Sequence, residues 1–296
     1  MRFSGHETFV CKQTWLKKGY DFLIHGESFS KETAVIDLGV GKNMVSSIGY
    51  WMKAFGLCNE RWELTDISNY IFGQNGKDQY LEDYGTLWLL LYNLIKTGYA
   101  SIYNIFFNQY REYNALEFSE EQLHSYLKSL MEKENIYNQK TLNSDISVFR
   151  RMFLAPKDQQ EEIEDLYTTI FSELNIIYML PIARKKEKEE NNKSEVKKYD
   201  ISSKAKIGLP YEIILYAILD QNEAKNSLSL DFNELWNGNN SPGKTFSLSK
   251  EDLYKYLEEI EENYSGIIFS STAGIQTLQF NKQFDKWQVL SNYYDK

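Results

Sequence analysis

Apolar residues recur at helical spacing from Met44 onward. Met44, Val45, Ile48, Met52 and Phe55 share one face, while Asn43, Ser46, Tyr50 and Lys53 follow one another around the other. This pattern predicts a helix whose outer face is polar but almost uncharged. Gly39-Val40-Gly41 separates it from a preceding helical pattern, and Gly56 stands where a C-cap is wanted. Arg61-Trp62-Glu63-Leu64-Thr65 then alternates like a short strand, before Thr65-Asp66 opens another helix. Helix, turn, helix, strand is the order of a winged helix-turn-helix unit.

From about residue 77 to 180 the pattern is helical and rich in aromatics. Residues 78–83 lead into the apolar run 87–95, and Ser119-Glu120-Glu121-Gln122 opens a helix through Met131. Another helix starts within residues 141–145, with Ser144 or Asp145 as N-cap, and Ile146, Phe149, Met152 and Phe153 form its apolar stripe. The charged run 184–193 cannot bury apolar area and reads as an exposed linker or hairpin tip. Beyond it come a helix from Leu209-Pro210-Tyr211 through Leu219, a short one over 231–236, and one capped by Ser249 through Glu262. Residues 267–270 and 275–280 alternate as a hairpin across Thr272-Ala273-Gly274.

The expected fold is mainly α with small β wings, an α+β chain with winged helix-turn-helix units at both ends of a helical middle. Its expected divisions are 1–76 (winged-helix-like), 77–183 (helical), 184–207 (charged linker) and 208–296 (winged-helix-like).

Composition narrows the function. The 296 residues include 15% aromatics but only 4 Pro and 16 Gly, which suits regular elements packed on large side chains. Thirty-three basic and 42 acidic residues leave a net charge of −9, so the molecule as a whole repels polyanions and any nucleic-acid surface must be local. The longest apolar run, 87–91, is too short to cross a bilayer, which predicts no membrane partner. The start, MRFSGHETF, has no apolar signal region, and the lone Cys11 and Cys58 give no disulfide framework, so a reduced, cytoplasmic location is expected.

Three places carry candidate chemistry. Leu38-Gly39-Val40-Gly41-Lys42-Asn43 lacks the first glycine, the Ser or Thr after lysine and the preceding strand of a nucleotide loop, so no nucleotide cofactor is expected. Its turn can instead present Lys42 and the backbone N–H groups of a helix start to a phosphate, or simply turn the chain. Phe3-Ser4-Gly5-His6-Glu7-Thr8-Phe9 sets an imidazole beside a carboxylate, which reads as catalysis or as hydrogen bonding that locks the segment down. Asp78, Glu82 and Asp83 form the best carboxylate cluster, suited to Mg2+ or to a solvated helix start. His6, His25 and His124 are the three histidines, and without CxxC or HExxH spacing zinc is not expected.

The ordered strings FSGHETF, WLKKG, LGVGKNMVSSIGYW, DQYLEDYGTLWLL, SPGKTFSLS and STAGIQTL resemble a family catalogued as a domain of unknown function, number four thousand and seven. The resemblance spans nearly the whole chain. That family is similar to the B component of Ssp-type loci, which place phosphorothioate linkages in one DNA strand in defence against phage. The resemblance implies a DNA nickase dependent on a divalent metal, working with a cysteine desulfurase, an ATPase and a PAPS-reductase-like protein. Self-association is compatible with it. One departure is Leu91-Tyr92, where a histidine is expected after the TLWLL run.

Phosphodiester cleavage needs charge neutralisation, a base and a reader of the duplex. On this reading His6, Glu7, Glu82 and Asp83 are catalytic candidates, and Asp78, Glu82 and Asp83 are the Mg2+ ligands. Gly41, Lys42, Asn43, Ser46, Tyr50 and Lys53 face the DNA. The rival is a non-enzymatic winged-helix adaptor that places the sulfur-transfer complex on DNA or holds partner proteins. The overall acidity and uncharged recognition face favour that rival.

Overall fold

Three helices built from the N-terminal pattern enclose the first part of the core: α1 (Gln13–Ile24), α2 (Ala34–Leu38) and α3 (Lys42–Ala54). The computed structural model describes residues 1–111, 117–154, 169–181, 197–201, 206–272 and 274–296. The stripe on α3 is buried as its spacing predicts, except that Met44 at its start is only half-buried. Ile48, Met52 and the adjoining Phe55 are fully enclosed, and each such side chain contributes about 1.5–3 kcal/mol. Gly19 lets α1 lie close on α3, because a Cβ there would sit 2.7 Å from Met52.

The expected strand over 61–65 is absent. One isolated bridge, Cys58 to Leu64, takes its place. The Asn59 side chain accepts the N–H groups of Arg61 and Glu63, and Trp62 turns to a φ of 67°, so the segment is a turn held by its own asparagine. Helix α4 (Asp66–Phe72) follows, preceded by Thr65 as expected.

Helix α5 (Tyr84–Thr97) is apolar nearly all round, and Leu87 through Ile95 are buried without a break. Asp83 caps its start, and Gly98 ends it in the left-handed region, φ 63°. Helix α6 (Ser101–Ile105) runs on into a π-helical turn, Phe106–Tyr110. Strand β1 (Glu117–Ser119) leads into α7 (Glu120–Lys133), where Ser119 and Gln122 form a reciprocal capping box. Helix α8 is Gln139–Phe153, capped by Asn138. Neither Ser144 nor Asp145 caps it. Both lie inside the helix, which begins earlier than the sequence suggests.

Strands β2 (Ile177–Met179) and β3 (Lys198–Ile201) complete an antiparallel sheet of order β1-β3-β2, with Glu117 opposite Asp200 and Ile177 opposite Ile201. Within the stretch read as a linker, residues 198–201 are therefore the central strand of a sheet. The charged run 184–193 lies outside the described residues.

The rest of the chain is α9 (Tyr211–Asn222), β4 (Ser229–Asp231), α10 (Phe232–Asn237), α11 (Pro242–Thr245), α12 (Lys250–Asn263), β5 (Ile267–Thr272), β6 (Ile275–Phe280) and α13 (Lys286–Tyr294). The hairpin falls where alternation places it, and β4 joins it in the order β4-β6-β5. Helix α13 closes the unit against α9. The architecture is a mostly helical α+β fold with two three-stranded sheets. No helix among the described residues is long and apolar enough to cross a membrane.

Candidate functional site

The start of α3 is open to solvent. Gly39 closes α2 in the left-handed region, φ 64°, whereas Gly41 has an ordinary φ of −65°. Only Gly39 is demanded by the turn. Gly41 offers no side-chain acceptor, so the first-turn N–H groups of α3 point outward uncapped beside exposed Lys42, Asn43 and Ser46. Lys18 reaches the same turn, its Nζ donating to Leu38 O at 3.4 Å, and exposed Ile36 flanks it. Lys18 escaped the sequence reading because it comes from α1.

Two residues assigned to this outward face lie elsewhere. Tyr50 is 6% exposed and packs under Gly5, where a Cβ would stand 2.7 Å from its ring. Lys53 pairs with Glu60 at 2.9 Å and lies 3.9 Å from the Trp62 ring centroid. The N-terminal segment and the 59–63 turn cover that side of the helix, which periodicity alone cannot register. Burial also drives the Tyr50 hydroxyl far above its ordinary pKa, with Asp145 adding to the effect.

The FSGHETF segment is fastened from several sides. Ser4, Gly5, Glu7 and Thr8 all have positive φ, and the Ser47 hydroxyl donates to His6 O at 3.0 Å. His6 is 3% exposed and stacks near Trp51. Its Nδ1 accepts the Thr8 N–H, so Nε2 carries the proton, facing Asp145 Oδ1 at 3.4 Å. That approach is off the hydrogen-bond axis. Asp145 also accepts the Ser4 N–H on both oxygens. Glu7 points to solvent, so His6 and Glu7 do not form a pair, and the buried imidazole is a lock on the segment, not an accessible base.

The carboxylates at 78–83 are committed to the backbone. Asp78 accepts the N–H groups of Glu82 and Asp83, each at 3.0 Å, and Asp83 accepts the Thr86 N–H and the Tyr293 hydroxyl. Glu82 is exposed. Among the described residues no three His, Cys, Asp or Glu side chains stand together so as to hold a metal. The expected Mg2+ ligand set is thus not assembled at this turn: Asp78 and Asp83 hold N–H and O–H donors, and Glu82 stands out in solvent.

The position expected to carry a histidine is enclosed. Leu91 and Tyr92 are both fully buried, and Tyr92 Oη donates to Asp220 Oδ2 at 2.5 Å. Burial pushes the Asp220 carboxyl up, but Lys96, Tyr92 and Lys286 together bring it below its ordinary value. The cluster ties α5, α9 and α13 together.

The chain belongs to the family described as Protein of unknown function (DUF4007), which matches residues 3–294. Two solved structures are similar to it: a magnesium ion-bound SspB crystal structure and an SspB crystal structure. Each has a TM-score of 0.81 and 25% identity, and covers 99% of this chain and 88% of the other. No curated protein matches.

Proposed function

We propose that this chain is an SspB-type component of a bacterial single-strand DNA phosphorothioation system, which grips duplex DNA through the start of α3 and nicks one strand for sulfur incorporation. The observation that carries the DNA reading is the uncapped, exposed first turn of α3, with Lys42, Asn43 and Ser46 beside it. Backbone N–H groups and a lysine hold a phosphate without sequence preference, while asparagine and serine reach base edges. Nicking is supported by the likeness to SspB, of which one similar structure holds magnesium. The sulfur-transfer proteins of such a system are the expected partners.

The order α9, β4, α10, α11, α12, β5, β6 and the sheet order β4-β6-β5 support a winged-helix reading of the C-terminal unit. Its α12 carries Glu251, Asp252, Glu258, Glu259, Glu261 and Glu262 against Lys250 and Lys255, a balance that repels phosphates. DNA contact is therefore assigned to α3.

A second reading, a non-enzymatic adaptor, is favoured by the engagement of Asp78 and Asp83 in backbone capping. Supercoiled plasmid incubated with the pure chain in Mg2+ or in chelator separates the two. Conversion to open circle only with Mg2+ supports the nickase. Duplex binding without conversion supports the adaptor, and no binding by fluorescence anisotropy sinks the nickase and any adaptor that works on DNA.

A further inference from the structure

The C-terminal unit contains a pocket that DNA binding leaves unused. It holds about 240 Å3 and is walled by Tyr211, Tyr264 and Phe284, with Lys282 also on its lining, its ammonium 5.2 Å from the Phe284 ring centroid. The rings meet edge to face, with Tyr264 6.3 Å from each of the other two. Glu212 also lines it, its side chain only 2% exposed, and its carboxylate pairs with the ammonium of Lys296. That ammonium lies 4.9 Å from the Tyr211 ring centroid and 3.4 Å from its hydroxyl.

A buried carboxylate flanked by aromatic faces is the chemistry that recognises an ammonium or guanidinium. Lys296 demonstrates the fit but leaves it incomplete: its side chain is 59% exposed, and the pocket volume remains with it in place. Helix α12 brings a second carboxylate, exposed Glu259, which lies outside the lining but within electrostatic reach of Glu212 and Lys296. Burial raises the Glu259 carboxyl, with the Glu212 charge adding to the effect and Lys296 opposing it. Exposed Glu258 and Glu262 extend the negative surface beyond the pocket.

We propose that this pocket docks a lysine or arginine side chain from a basic segment of a partner protein, in the place now held by Lys296. The acidic face of α12 attracts such a segment and repels DNA, and Glu212 supplies the buried counter-charge. The inference stands independently of the DNA reading.

Chemical rescue tests the pocket. Lys296→Ala should melt at a lower temperature, and n-butylammonium should restore it saturably, while n-butanol should not. Lys296→Ala combined with Glu212→Gln should not respond to the amine. A labelled peptide of alternating lysine and serine should bind the full chain, and Glu212→Gln should weaken it about tenfold or more. Glu259→Gln, on the surface, should weaken it in the same direction without disturbing the core. The proposal is overturned if the amine fails to rescue Lys296→Ala. It is equally overturned if the peptide binds both variants as it binds the unaltered chain, or if its lysine-acetylated form binds as well.

Discussion

His6 Nε2 faces Asp145 Oδ1 at 3.4 Å across 139 positions of sequence, and both side chains are almost wholly buried. The same carboxylate accepts the Ser4 N–H on both oxygens, so one acid from the middle of α8 fixes the N-terminal motif. Asp145→Ala should cost about 3 kcal/mol, because it strands a buried N–H and an imidazole without their partner. Urea unfolding measures this. Glu7→Ala, at an exposed position, should change stability by no more than about 0.5 kcal/mol. Equal losses in the two variants would refute the lock.

The acids at 78–83 should divide by role. Asp78→Ala removes the acceptors of two loop N–H groups and Asp83→Ala removes a helix cap, and each should lose about 1–2 kcal/mol, whereas Glu82→Ala should stay within about 0.5 kcal/mol. Thermal melts give the ranking. Loss of plasmid nicking at Asp78 or Asp83 with an unchanged melting temperature would reverse the structural assignment.

At the proposed DNA-binding face, Lys42→Ala should weaken binding to all sequences and reduce the salt slope by about one unit. Asn43→Ala and Ser46→Ala should mainly relax sequence preference. Tyr50→Ala should instead destabilise the fold by about 3 kcal/mol, as an emptied core position does. Anisotropy titrations at several salt concentrations, run beside melts, distinguish a contact from a core residue.

Stability should depend on pH through Lys206. Burial, helped by the Arg111 charge, lowers its pKa from 10.5 to about 8, with Asp252 and Asp200 opposing. Between pH 8 and 10.5 the unfolded chain therefore holds this proton and the folded chain does not, so this group makes stability rise with pH over that window. Lys206→Met should remove that rise and be relatively more stable below pH 8. Parallel melting-temperature profiles of the two proteins would refute the assignment.

Local information was enough wherever a segment decides its own structure. The apolar stripe of α3, the capping box at Ser119, the Ser249 cap and the terminal hairpin follow from side-chain period and from donors within a few residues. The motif strings were likewise enough to suggest the family. Roles that depend on distant chain were not legible. Tyr50 carries an outward-looking position on its helix, and only the arrival of Gly5 and the N-terminal segment buries it. Asp145 looked like a cap because its partners His6 and Ser4 lie far upstream. Strands β1, β2 and β3 are three or four residues long, too short for alternation to show, and exist because pairing across the chain satisfies their backbone groups. Asp78 and Asp83 have the composition of a metal site. The folded turn brings backbone N–H groups to both, and α13 brings the Tyr293 hydroxyl to Asp83, so the two carboxylates fasten the start of α5, a role that composition cannot show.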